Sequence, residues 1–115
     1  LDAFPVSDTV EDHAPQTPLA LHKLGESLRA LRHLVAIEAL VATQGADLRQ
    51  TGGLGQGAAR VHAALRAVVA PLAEDRPPGP DAMRAEAALF TDPVVDGLCA
   101  LAQQAEDADA LRPLF

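Results

Sequence analysis

Between Thr17 and Arg49 the chain carries apolar residues at three- and four-residue steps, and no other segment constrains its fold as strongly. Leu21, Leu24, Leu28, Leu31 and Val35 form one row; Leu34, Ile37, Val41 and Leu48 form a second that drifts around the axis. Thr17-Pro18 supplies the start, with Thr as N-cap and proline at the first helical position. A helix of that extent spans ~50 Å at 1.5 Å per residue, beyond the three or four turns usual in globular proteins. His22, Glu26, Arg29 and His33 share a polar face over its first half. A helix this long, apolar on drifting stripes, needs several others to cover it, and the remainder of the chain offers only short ones.

The glycines of Thr51–Gly57 end the long helix. A second helix is expected from about Gln56 to Glu74, with Val61, Leu65, Val68 and Leu72 as its inward row and Pro71 kinking or ending its last turn. Arg76-Pro77-Pro78-Gly79-Pro80 reads as a stiff linker, after which Asp81 caps a short helix to about Phe90. Asp92-Pro93 repeats the cap-plus-proline signal for a last helix to about Leu111. The fold class is therefore all-α: one long central helix with three or four shorter helices, part of a larger helical bundle. Residues 1–16 form an irregular leading segment and 17–115 the helical region. Hydrophobic residues reach 49% while aromatics supply only 3%, so alanine and leucine build a core of small side chains that favours helices but gives few large anchors. The first residue is Leu1 rather than Met, and the chain is expected to be a piece of a longer gene product.

A formal charge of −7, with no basic stripe, argues against nucleic acid and anionic membrane surfaces as partners. No apolar run approaches the ~20 residues that span a bilayer. One cysteine, Cys99, cannot form an internal disulfide, which suggests a reducing, cytoplasmic compartment; its apolar helical context reads as a buried inert thiol. Gly53-x-Gly55-x-x-Ala58 matches a dinucleotide-binding fingerprint in letters only, because a helix rather than a strand precedes it. His22 and His33 stand roughly 16 Å apart along the helix, too far to share an ion, and no metal is expected. His62 is isolated and is assigned nothing. Glu38 and Gln44, on or beside the apolar rows, read as polar residues hydrogen-bonded across a helix interface, the alternative being groups that face a site at the centre of a bundle. Glu11-Asp12-His13 is the densest ionisable cluster. Two carboxylates beside an imidazole can move protons if burial raises one carboxylate towards neutrality; a solvated approach to the helix is the simpler reading of composition alone.

Taken in order, Glu11-Asp12-His13, then Ala36-Ile37-Glu38-Ala39-Leu40-Val41-Ala42-Thr43-Gln44-Gly45-Ala46-Asp47-Leu48-Arg49, then Leu54-Gly55-Gln56-Gly57, Leu65-Arg66 and Glu74-Asp75-Arg76 resemble the C-terminal part of histidine ammonia-lyases and their aromatic amino-acid lyase relatives. The resemblance covers roughly residues 6–89. It implies elimination of ammonia from an amino acid, with a methylidene-imidazolone electrophile formed autocatalytically from an Ala-Ser-Gly triplet in the N-terminal half. No such triplet occurs in these residues, so the piece alone is expected to be inert. It also implies a homotetramer whose long helices share a central bundle, with Glu11 reaching the active site to handle the substrate's amine or protons while Asp12 and His13 support it. Val10 replaces the family's usual glutamine, and Ala14-Pro15-Gln16 its Val-Ser-Met. The Glu-Asp-His triplet leans towards the histidine-specific branch.

These readings give the C-terminal part of a cytoplasmic ammonia-lyase converting L-histidine to urocanate. The alternatives are a lyase or aminomutase acting on phenylalanine or tyrosine, and a non-catalytic helical oligomerisation module. On either architecture an apolar stripe from Leu21 to Val41 is expected to be exposed or covered by self-association.

Overall fold

The computed structural model describes residues 16–49 and 53–110, with side chains as far as 105. Among the described residues four helices follow one another: α1 (Thr17–Arg49), α2 (Gln56–Arg66), α3 (Gly79–Leu89) and α4 (Asp92–Ala110). No strand occurs among the described residues. The fold is all-α, as the periodicity required, and α1 has the expected bounds. The chain divides into two compact units, Leu1–Arg32 and His33–Phe115, and α1 contributes to both.

In the first unit the leading half of α1 exposes Leu21, Leu24, Leu28 and Leu31. Some of its polar residues bond along the helix itself: Ser27 Oγ donates to the Lys23 carbonyl at 3.0 Å, and Arg29 pairs with Glu26.

The second unit holds the core. Ala36, Leu65, Ala85 and Leu89 are buried together, with Ala39, Leu40, Val61 and Phe90 packed against them. In this part of α1 the inward face is its small one, Ala36, Ala39, Leu40 and Thr43, and not a row of bulky residues. Leu34, Ile37, Val41 and Leu48 stay exposed, Val41 at 66% and Leu48 at 73%. Alanines let neighbouring backbones come close, so the core is thin, and Leu65 is the one fully enclosed large side chain among the described residues. α2 packs on α3 and α4, and α3 on α4. Arg60 of α2 donates to the Pro93 carbonyl at 3.0 Å, its guanidinium lying over Gly97, where any β-carbon would collide with it.

Four local expectations are corrected. α2 ends at Arg66, not near Glu74. Pro71 lacks the N–H that would bond the Ala67 carbonyl and disfavours helical geometry at Ala70; Val68 and Val69 N–H instead both turn back to the Leu65 carbonyl. Asp81 is the third residue of α3 rather than its cap, which is Pro78, and the carboxylate is drawn inside by two arginines. Cys99 is exposed. The half-buried row of α4 is Val94, Leu98 and Leu101, and a residue one step beyond Leu98 turns about 100° away from it. Thr91 precedes α4 and its carbonyl accepts from Val94 and Val95, so Asp92 lies one place inside the expected cap. Gly53, with φ of 91° in the turn before α2, occupies backbone space that a side chain would strain.

Candidate functional site

Glu11, Asp12 and His13 lie outside the described residues. What the structure places is the scaffold downstream of them, and most of its polar chemistry converges on one face of the trailing half of α1. Gln44 and Asp47 are three residues apart there and so share a face. Opposite them, His62 and Arg66 share a face of α2 at four-residue spacing. The Asp47 carboxylate accepts from His62 Nε2 at 2.6 Å and from the Arg66 guanidinium at 2.7 Å. These two donors, His62 first, hold the Asp47 carboxyl below the usual carboxylate range against a smaller opposing effect of burial.

Arg66 carries the network onward, donating to Gln44 Oε1 at 3.2 Å and to the Val69 carbonyl at 3.0 Å. Gln44 then grips one residue twice: its Oε1 accepts from Leu72 N–H at 2.8 Å and its Nε2 donates to the Leu72 carbonyl at 3.3 Å. Arg76 donates to the carbonyls of Ala70 at 2.7 Å and Pro71 at 3.3 Å. Four successive carbonyls, 69 to 72, thus each accept a side-chain donor. A segment that forms no helix therefore has its backbone groups satisfied by side chains drawn from α1, α2 and its own downstream end, as an ordered non-helical segment requires. Arg76 also donates to Asp81 at 2.8 Å, and Arg84 pairs with the same carboxylate; Arg76 first and Arg84 second hold Asp81 low as well. His33 and Glu86, 2.9 Å apart, tie α1 to α3.

Two clefts flank this network. One, of about 340 Å³, lies between Leu40, Val41 and Leu48 of α1 and Val69, Leu72 and Pro78 of the pinned segment. The other, of about 300 Å³, is a half-open cleft among small residues of α1 and α2, with Leu98 of α4 in its lining. No group of three or more His, Cys, Asp or Glu that could hold a metal ion occurs among the described residues, and no described helix is long and apolar enough to cross a membrane.

Gln44, Asp47, Arg66 and Arg76, which hold the network, all fall within the ordered segments noted in the sequence. Residues 1–67 match the family model for aromatic amino acid lyase. The chain belongs to the aromatic amino acid lyase family. It is 39% identical over 77 residues, 67% of its length, to histidine ammonia-lyase of Sorangium cellulosum (strain So ce56). It is 31% identical over 96 residues, 84% of its length, to that of Treponema denticola, and 35% identical over 91 residues to that of Shewanella oneidensis. The chain spans between 15% and 19% of the length of these relatives. No solved structure matches it.

Within the family resemblance, then, the described residues account for the scaffold. Gln44 is the interface hydrogen-bonder its position suggested. Glu38 is exposed on α1 and does not enter the network. His62 and Asp47 were missed as a pair, because the spacing within each helix does not say which face of the other helix it meets.

Proposed function

We propose that this chain supplies the C-terminal helical part of an ammonia-lyase that converts L-histidine to urocanate. The observation that carries the reading is the match to three histidine ammonia-lyases over 67% to 84% of this chain. Glu11 acts as the group that holds the substrate's amine or moves its proton, and Asp12 and His13 steady the segment carrying it. The carbon–nitrogen bond is activated by a methylidene-imidazolone electrophile formed elsewhere in the polypeptide; no Ala-Ser-Gly triplet occurs in these 115 residues, and this chain's part is to position Glu11 and build the scaffold behind it. The working form is a cytoplasmic homotetramer joined through α1, a reading supported by the leucine, isoleucine and valine side chains that α1 leaves exposed.

In the complete polypeptide, urocanate release from L-histidine is the assay. Glu11→Ala lowers kcat by at least about tenfold, the floor expected for a positioned proton-transfer group; an unchanged rate removes Glu11 from the site. Product analysis separates the neighbouring readings, since a cinnamate-type acid or a β-amino acid in place of urocanate points to a phenylalanine or tyrosine lyase or to an aminomutase. The exposed face of α1 also favours a second reading, a non-catalytic oligomerisation module. A folded tetramer that turns over no aromatic amino acid supports that one.

A further inference from the structure

The cleft of about 300 Å³ is walled mainly by small or apolar residues, among them Ala42, Ala46, Ala58, Val61 and Leu98. Two polar residues line it as well. Thr43 is 4% exposed, and its hydroxyl forms no hydrogen bond with any described residue. Every fully enclosed polar side-chain atom among the described residues has a partner, so the unpartnered Thr43 hydroxyl is not fully enclosed, and Thr43 lines this cleft. His62 gives Nε2 to Asp47. Its Nδ1 forms no hydrogen bond with any described residue and is an acceptor while the imidazole is neutral. No carboxylate, lysine or arginine lines the cleft; Asp47 is held by His62 and Arg66.

A charged occupant would lose part of its hydration without gaining a counter-ion, and a purely apolar one would leave both polar groups unmet. A cavity of about 150 Å³ accepts benzene, and about 300 Å³ is the lower end of the range for small-molecule sites. We propose that this cleft binds a small phenol-class ligand, one aromatic ring bearing one hydroxyl. The ring lies against the alanines, Val61 and Leu98. The ligand's hydroxyl donates to His62 Nδ1 and accepts from Thr43.

The test is a titration of the whole chain with phenol, followed by NMR of the methyl groups of Thr43, Ala46, Ala58 and Leu98. Saturable shifts confined to these methyls are expected, with benzene binding at least about fivefold more weakly, the worth of one hydrogen bond, and benzoate not binding. Thr43→Val keeps the shape and removes the hydroxyl. It should weaken phenol by about fivefold while leaving benzene unchanged, and it should not lower the melting temperature, because the hydroxyl it removes has no partner to lose. Ala58→Leu fills the cleft and abolishes both. Unsaturable or scattered shifts, or phenol binding no tighter than benzene, overturn the proposal, and this comparison on the unsubstituted chain stands even if a variant fails to fold.

Discussion

Asp47 receives its two donors from successive turns of α2, and its partners make it the hinge pin of the polar network. Its carboxyl, and that of Asp81, are held below their ordinary value in the fold. For a depressed carboxyl the folded state binds fewer protons than the unfolded one. The contribution to stability is therefore present above the unfolded value and is lost as pH falls through the folded one. Melting temperature should accordingly fall as pH is lowered from about 5. Asp47→Asn, which cannot carry the charge, should lower the melting temperature at neutral pH and make that acid slope shallower, though not flat because Asp81 remains. Equal slopes in the two proteins would show that the ion pair contributes nothing. At this scale the sequence was partly legible. Gln44 stood out as a polar residue beside an apolar row, and the structure gives it a backbone N–H and carbonyl to bind. His62 did not stand out, because its partner is fifteen residues away on another helix.

Elements were legible where local forces decide them. α1 runs from Thr17 to Arg49 because nothing in that stretch interrupts the period, and Pro18 falls where a missing N–H costs nothing. α2 was read too long because Val68 and Leu72 continue the apolar spacing beyond Arg66. The chain leaves the helix there, and donors from Gln44, Arg66 and Arg76 satisfy the carbonyls that a continued helix would have used. Alanine supplies half of the buried core that α1, α2 and α3 share, so Leu65 carries much of its buried apolar area. Leu65→Ala should cost ~2–5 kcal/mol, since a thin core relaxes little around a cavity. The midpoint of urea unfolding measures this, and a loss below about 1 kcal/mol would mean that the helices close over the gap.

For the whole molecule the decisive feature is what α1 leaves uncovered. In the second unit Leu34, Ile37, Val41 and Leu48 face outward while alanines face the core, the arrangement of a helix with a further surface to bury. The chain, 12.0 kDa as a monomer, is therefore expected to sediment as a larger species at micromolar concentration. Leu34→Lys with Val41→Lys should return it to monomer without reducing its helix content, whereas an unsubstituted chain that stays monomeric would remove α1 as a self-association surface. By itself the sequence determined that the chain is helical, where α1 begins and ends, and which family its ordered segments resemble, because periodicity, proline placement and segment order are local or linear properties. Only the tertiary structure decided that α1 turns its small face inward, that α2 stops at Arg66, and that Asp47 meets His62 while Gln44 meets Leu72. Those pairings join residues between fifteen and twenty-eight positions apart, and they depend on how the turns bring helices together, which no periodicity within one helix encodes.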